Sequence, residues 1–357
     1  MKTNKVYYVI LSCVILVFSV SQLGCKKDNE ELEPSSKNVV WAVGAADSTN
    51  YGTILFSADG GDNWVCQGEG NAALSGIYFN DVWVVDENTA WVVGSGNTIL
   101  QTTDKGQTWT QISTPQQPPE VELVSISMVG SDNIWVSGSY GTVYNSTNGG
   151  NTWAEIQADV LQNKYIQGIH AVDANLIYCV GGYEGSNTNG FIARTSDGGQ
   201  NWDSIVPTDN YNKHLWIGAA SSGNTHIVYG QEAHFVLSDD GGQSWRNDSV
   251  PDTGGTHGAD INCLKMLNAT TWWGAFDYDE ILRTDNSGAY WDAQGPAPGP
   301  QNMWLLGLDY YDEDLCIIVG SSASSNHGKI IKTGNGGQSW ELKQETNAWM
   351  QKVSFIK

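Results

Sequence analysis

The octapeptide "TSDGGQNW" at residues 195–202 decides the fold, because close variants of it return along the whole chain. Other copies include "TTDKGQTW" at 102–109 and "SDDGGQSW" at 238–245. Written as [S/T]-x-[D/N]-x-G-x-x-W, this box occurs seven times, beginning at Ser57, Thr102, Ser146, Thr195, Ser238, Thr284 and Thr333. The box tryptophans are 43 to 49 residues apart. That period matches one four-stranded propeller blade.

Three apolar runs precede each box in a fixed order, as in "VSISMV", "NIWVSG" and "GTVYNS" before the box that starts at Ser146. Each period therefore reads as inner strand, second strand, third strand, box and outer strand. The chain begins on a second strand near Val39 and ends on a seventh inner strand, "KVSFIK". The sequence predicts an all-β domain over 39–357, a seven-bladed β-propeller of four-stranded antiparallel blades. Its C-terminal strand is expected to complete the first blade and close the ring.

Each box has the composition of a tight turn. Its Asp or Asn is expected to accept a hydrogen bond from a backbone N–H two residues on, and its Gly to supply a positive φ. Its Trp should lead the outer strand and bury its ring between blades. The predicted structural pairs are Asp59 and Trp64, Asp104 and Trp109, Asn148 and Trp153, Asp197 and Trp202, Asp240 and Trp245, Asn286 and Trp291, and Asn335 and Trp340.

The octapeptide resembles the Asp-box, or BNR, repeat of sialidases, xyloglucanases and sortilin-type receptors. The longer stretch "NTAWVVGSGNTILQTTDKGQTW" at 88–109 is most similar to the photosystem II stability/assembly factor family and its non-photosynthetic bacterial relatives. The resemblance covers about 39–357. It implies a β-propeller but no particular activity, because Asp-box propellers host hydrolases, receptors and assembly factors alike.

The first 25 residues have the features of an export signal. A basic start precedes the apolar run "VYYVILSCVILVFSV" and then "SQLGC", which resembles a bacterial lipoprotein signal with Leu23 one place nearer the cysteine than usual. We expect a signal peptide at 1–24, lipidation at Cys25 and a flexible tether at 25–38. This predicts a lipoprotein of a Gram-negative outer membrane, facing the periplasm or the cell surface. An uncleaved anchor or an ordinary signal peptide is the alternative.

The net charge of −22 argues against nucleic acid and anionic lipid surfaces as partners, since like charges repel. Membrane contact is expected only through the N-terminal lipid. Cys66, Cys179, Cys263 and Cys316 have no C-x-x-C spacing and are expected to be buried thiols, with one disulfide as the alternative.

Two observations bear on enzymatic activity. A sialidase needs three arginines at the mouth, but Arg194, Arg246 and Arg283 all adjoin boxes, at the opposite end. A xyloglucanase-type site needs two carboxylates in a cleft, usually between two propellers, and only one is encoded. We predict no catalytic residues.

The loops at the mouth, opposite the boxes, are uneven and rich in aromatic and acidic residues, so binding is expected there. The candidate binding residues are Tyr183, Glu184, Tyr211, Trp216, Glu232, Asp277, Tyr278, Asp279 and Trp304. Further aromatic residues in the same loops are Tyr51, Tyr140 and Trp349. "FDYDE" at 276–280 lacks the EF-hand spacing for calcium, and the six histidines show no metal spacing. We therefore predict no metal and no cofactor.

Two functions remain. The preferred hypothesis is a non-catalytic exported lipoprotein whose mouth binds a partner protein or assists assembly of an envelope complex. The alternative is a carbohydrate-active or glycan-binding propeller that acts on a neutral polysaccharide through the same aromatic residues and acids.

Overall fold

The computed structural model describes residues 38–46, 51–67, 74–115, 121–183, 189–205, 214–251, 259–322 and 325–356. They form seven four-stranded antiparallel sheets arranged as the blades of a propeller, which confirms the predicted fold. The predicted signal peptide, Cys25 and the tether up to residue 37 lie outside the described residues, as do Glu184 and Tyr211.

The strands follow the order predicted for each period. Inner strands are β4 (Phe79–Val84), β8 (Leu123–Val129), β12 (Lys164–Ala171), β16 (Trp216–Ser222), β20 (Ile261–Met266), β24 (Met303–Tyr310) and β28 (Met350–Phe355). Second strands are β1 (Val40–Ala46), β5 (Ala90–Gly94), β9 (Asn133–Gly138), β13 (Ile177–Tyr183), β17 (Thr225–Gly230), β21 (Trp272–Phe276) and β25 (Cys316–Ser322).

Third strands are β2 (Gly52–Ser57), β6 (Thr98–Thr102), β10 (Val143–Ser146), β14 (Phe191–Thr195), β18 (His234–Ser238), β22 (Ile281–Thr284) and β26 (Gly328–Thr333). Outer strands are β3 (Val65–Gln67), β7 (Thr110–Gln111), β11 (Ala154–Glu155), β15 (Asp203–Ile205), β19 (Arg246–Ser249), β23 (Asp292–Ala293) and β27 (Glu341–Thr346). Among the residues described, no helix has the length and apolar character to cross a bilayer.

The C-terminal strand closes the ring. β28 pairs antiparallel with β1, with Val40 opposite Phe355 and Ala42 opposite Val353. It thereby becomes the inner strand of the first blade and contacts the inner strands β24 and β4 on either side. Joining the two ends of the chain in one blade removes the sheet edges that an unclosed ring would expose.

The box tryptophans pack between blades. In four blades the ring lies edge to face on an aromatic second-strand side chain of the preceding blade. Trp153 lies on Trp91, with centroids 6.3 Å apart, and Trp202 on Trp135, at 6.4 Å. Trp245 lies on Tyr178 and Trp340 on Trp273 in the same way. Trp291 packs on Trp272 and Phe276 of its own blade, and Trp109 and Trp64 belong to the apolar clusters that contain Trp41 and Ile317. These rings supply much of the apolar burial that fixes the angle between neighbouring blades.

The box turn is held by its own side chains, in the same way in all seven blades. In the first box the Ser57 hydroxyl donates to Asp59 Oδ1 (2.8 Å) and accepts from the Gly61 amide (2.9 Å). Asp59 Oδ1 accepts from the amide of Asn63 at 2.9 Å. The amide of Asp62 also donates to Asp59 Oδ1 (3.0 Å), so the acid binds amides three and four residues on rather than the predicted amide two residues on. The amide two residues on, that of Gly61, donates to the Ser57 hydroxyl instead.

The fifth position of every box is glycine, and both backbone conformation and packing require it. Gly150 has φ +83°, a region that favours glycine. A Cβ at this position would overlap the ring of Trp91 on the preceding blade. The turn and the interblade tryptophan contact therefore depend on each other.

Cys179, Cys263 and Cys316 are buried free thiols, and Cys66 is half-buried. Burial raises the pKa of the Cys179 and Cys316 thiols. A thiol kept protonated in an apolar site is a weak nucleophile, so Cys179 and Cys316 act as core residues, and Cys263 is buried in the same way.

Candidate binding face at the mouth of the propeller

Two sets of connections form the end of the propeller opposite the boxes. They are the turns between second and third strands and the loops that lead into inner strands, and we call their surface the mouth face. Antiparallel pairing within each blade places both sets at one end. The three arginines lie at the other end, where Arg194 Nη1 donates to the carbonyl of Gly242 in the next box (2.6 Å).

Several mouth-face residues other than glycine lie in the left-handed region, among them Asn97, Asn163 and Asn302. Three of the turns that the structure describes place a large side chain there at their centre. They are the tight turns Ser139–Gly141, Gln231–Ala233 and Asp277–Asp279, whose central residues are Tyr140, Glu232 and Tyr278. Their φ values are +58°, +54° and +59°. Tyr140 and Tyr278 remain 57% and 59% exposed. The turns therefore project large side chains into solvent from a backbone conformation that such residues rarely adopt.

Two more tyrosines extend this exposed aromatic surface. Tyr183, at the end of β13, is exposed, and the Lys164 ammonium lies 3.1 Å from the centre of its ring. That cation–π contact fixes the ring while leaving its outer face in solvent. Tyr78 is exposed just before β4. The sequence analysis missed Tyr78, whose position directly before an inner strand was the available signal.

A hydrogen-bonded network joins blades two to four at the mouth. Glu122 accepts from Asn80 Nδ2 (3.1 Å) and from the Tyr165 hydroxyl (2.7 Å). Its backbone amide donates to the Ser139 hydroxyl (2.9 Å), next to Tyr140. The exposed rings of this sector therefore stand on a cross-linked base rather than on independent loops.

The turn that carries Tyr278 is held by a buried ion pair between Asp279 and Lys329. Lys329 is wholly buried, and its ammonium donates to Asp279 Oδ1 at 2.6 Å. The same ammonium donates to the carbonyls of Pro300 (2.9 Å) and Pro298 (3.1 Å). Burial lowers the pKa of Lys329, and the Asp279 carboxylate acts against this shift. Asp279, a predicted surface-binding residue, thus points inward and holds the turn in place.

The predicted binding residues Trp304 and Trp216 differ in how far they are buried. Trp304 is half-buried and packs edge to face with Trp349, with centroids 6.3 Å apart. Trp216 is 1% exposed and belongs to a core cluster with Val228 and Ile192. It is therefore not part of the exposed mouth surface, contrary to the prediction, since its ring is covered by its own blade and the preceding one.

An acidic sector lies on the mouth side of blades five and six. Asp260 Oδ1 accepts from the Glu232 amide (3.0 Å), and Asp277 Oδ1 accepts from Asn262 Nδ2 (2.8 Å). Burial, helped by the charges of Asp277 and Glu232, raises the pKa of Asp260. His214 lies beside Glu232, with Nδ1 3.4 Å from Oε2, and stacks on His234 at 4.5 Å between centroids.

Polar residues from the inner strands line the central channel, among them Asp81, Lys265 and Lys352. Its cavity is about 90 Å³, well below the several hundred Å³ of an ordinary ligand pocket. Burial raises the pKa of Asp81. The channel is suited to water and compensated charges, and it is too small for a larger ligand.

The fold and the boxes define the chain as an Asp-box β-propeller. Residues 73–210 match the family model described as "Photosynthesis system II assembly factor YCF48". The similarity to photosystem II assembly factors that the boxes indicated is thus confirmed. No curated protein matches the chain.

Solved structures share the fold at low identity. A structure of YCF48 bound to D1 peptide has 20% identity and a TM-score of 0.56 over 74% of this chain and 80% of that chain. YCF48 from Cyanidioschyzon merolae has 16% identity and a TM-score of 0.62 over 85% and 98%. A GH74 xyloglucanase from Xanthomonas campestris has 12% identity and a TM-score of 0.60, over 90% of this chain and only 55% of the enzyme.

Proposed function

We propose that the chain is a non-catalytic exported lipoprotein whose mouth face binds a segment of a partner protein and so assists assembly of an envelope complex. The surface that carries this role consists of Tyr78, Tyr140, Tyr183 and Tyr278 with the polar groups between them. Rigid, amphipathic tyrosines are the residues that protein-binding surfaces favour.

The exposed tyrosines in left-handed turns carry the proposal. A left-handed non-glycine residue costs on the order of 1 kcal/mol. Tyr140 and Tyr278 recover little of this by burial, since more than half of each side chain is in solvent. Apolar burial therefore does not account for a tyrosine at either position, whereas a binding surface does.

Charge and the comparisons support a protein segment as the partner. The net charge of −22 and the acidic sector favour a neutral or basic segment. One solved propeller with the same fold is recorded with a bound peptide, D1. We extend that mode of binding, though not that partner, to the mouth face of this chain.

Site-specific photo-cross-linking tests the proposal. A photoreactive phenylalanine is placed at Tyr140, at Tyr278 or at the control Tyr290, which is 60% exposed but belongs to the sixth box at the opposite end. The same cross-linked protein should appear from positions 140 and 278 in cells and be absent from position 290. Equal products from all three positions, or products from 290 alone, would contradict a mouth-face site.

The lipid anchor has its own test. Metabolic labelling with a fatty acid should mark the wild-type chain, and Cys25→Ala should abolish the label and release the chain from the membrane fraction. Retention of the label in Cys25→Ala would exclude Cys25 as the modified residue without affecting the partner-binding test.

One observation favours the alternative, glycoside hydrolysis. Such enzymes need one carboxyl with a raised pKa and a second carboxylate nearby. Asp260, beside Glu232 and Asp277, has the first property. If this is the function, neutral polysaccharides should yield reducing ends with the wild-type chain and at least about 100-fold fewer with Asp260→Asn. No release by the wild-type chain would remove this candidate.

A further inference from the structure

His214, Glu232 and His234 come together at the mouth face although 20 residues separate the first from the last. His214 ends the loop that leads into β16, Glu232 is the left-handed centre of the turn Gln231–Ala233, and His234 begins β18. One ligand atom from each residue lies within 4.8 Å of those of the other two. Strand pairing within one blade brings the three residues together, so their spacing along the sequence does not predict the cluster.

The chemistry of these three groups selects a class of cation. Two imidazoles and one carboxylate suit Zn²⁺ and similar first-row transition metals, whereas Ca²⁺ and Mg²⁺ prefer all-oxygen sites. Catalytic and open zinc sites commonly use three such protein ligands and leave the fourth position to solvent or another molecule.

One of the three distances between ligand atoms is close to the value that a bound ion requires. Tetrahedral coordination at the usual Zn–N and Zn–O lengths places neighbouring ligand atoms about 3.3 Å apart. His214 Nδ1 and Glu232 Oε2 lie 3.4 Å apart, and all three ligand atoms lie within 4.8 Å of one another. The two imidazole planes are nearly parallel, at 13°, and must tilt toward each other for both lone pairs to meet one ion. Glu232 is 60% exposed at its side chain, so its carboxylate can adjust without disturbing the core.

Neighbouring groups position the cluster and add negative charge around it. The Asp260 carboxylate accepts from the Glu232 amide and fixes the turn that presents Glu232. Outer partners of this kind orient the ligands of metal sites. Asp260 and Asp277 add negative potential, which attracts a divalent cation.

We infer that His214, Glu232 and His234 form a site for one Zn²⁺-type divalent cation, with an open coordination position at the mouth face. The inference rests on this cluster and stands whether or not a partner protein binds the tyrosines. A bound ion would tie the loop before β16 to the start of β18 and so set the shape of this sector.

Isothermal titration of the metal-stripped chain with Zn²⁺ tests the site. We expect one ion per wild-type chain with a Kd of micromolar order or tighter. His214→Ala and His234→Ala should each weaken binding by about 100-fold or more, and Glu232→Gln by at least about 10-fold. The control His327→Ala, whose imidazole contacts Ser325, should bind as the wild type does.

A second measurement separates loss of a ligand from loss of the fold. Without metal, the melting temperatures of the variants should match that of the wild type, and Zn²⁺ should raise the melting temperature of the wild type and of His327→Ala more than that of any ligand variant. Wild-type chain that takes up no Zn²⁺, or variants that bind it with wild-type affinity, would overturn the inference.

Discussion

Replacing Asp279 by alanine removes the carboxylate that neutralises the buried ammonium of Lys329. The ammonium keeps two backbone carbonyls, those of Pro298 and Pro300, but loses its counter-charge. The amide of Met303, which donates to Asp279 Oδ2 at 3.1 Å, also loses its acceptor. Because the Lys329 side chain is 0% exposed, solvent cannot screen the charge. Breaking a buried pair from one side costs about 3–5 kcal/mol, and we expect a loss of that order.

Urea denaturation of matched variants measures this loss. Asp277→Ala makes the same chemical change two residues away, where the carboxylate is half-buried and bonded to the Asn262 amide. It should cost only about 0.5–1.5 kcal/mol. Removing both charges in Asp279→Ala/Lys329→Met should recover most of the stability lost in Asp279→Ala. If Asp279→Ala and Asp277→Ala are equally stable, or if the double variant is no better than Asp279→Ala, the pair does not anchor the turn.

The same pair predicts a pH dependence of known sign. Burial lowers the pKa of Lys329 in the folded chain, and Asp279 opposes that shift. In Asp279→Ala the folded pKa therefore falls further below its unfolded value of 10.5. Between these two values the unfolded chain binds more protons, so stability rises with pH across the interval. The deficit of Asp279→Ala relative to the wild type should shrink as the solution becomes alkaline.

Two further predictions concern the boxes. Gly150→Ala and Gly149→Ala share a left-handed backbone, but the nearest atom to a Cβ at Gly149 is 3.6 Å away. Gly150→Ala should therefore lower the free energy of unfolding by about 1–3 kcal/mol more than Gly149→Ala, and equal losses in urea denaturation would refute the overlap with Trp91. Hydrogen bonds from Ser244 and then Ser238 lower the pKa of Asp240 below 3.8. Its stabilising effect is present above pH 3.8 and is lost as the pH falls through the lowered pKa. Asp240→Asn, which reproduces the Asn of other boxes, should therefore reduce the acid sensitivity of the melting temperature, and an unchanged acid profile would contradict this.

The blades were predictable because each signal is repeated seven times. A single strand–turn–strand pattern is ambiguous, but seven copies with one period fix the strand order, the closure by Met350–Phe355 and the position of every box. The turn itself was predicted with the wrong hydrogen-bond span. Composition shows which residues can cap a turn, whereas the reach of Asp59 depends on where the Ser57 hydroxyl lies in the folded loop.

The mouth face was predictable only as a location. Lys329 and Asp279 are 50 residues apart, so their pairing depends on how two blades meet. Trp216 stands directly after a loop, which suggested exposure, yet side chains of the preceding blade cover its ring. Asp260 and the cluster of His214 with His234 likewise result from neighbouring turns, and no local spacing encodes them.

The two ends of the propeller use left-handed residues in different ways. At the boxes most of these positions are glycines such as Gly60 and Gly149, so the turn forms at little conformational cost. At the mouth, Tyr140, Glu232 and Tyr278 hold the same conformation with large exposed side chains. Replacement by glycine would relieve this strain without opening a cavity, since these side chains fill none. The left-handed glycines of the box end are explained by the turn that they form. The left-handed side chains of the mouth face add backbone strain that the fold does not require, which is typical of binding sites. The mouth face is therefore the surface on which a ligand is expected.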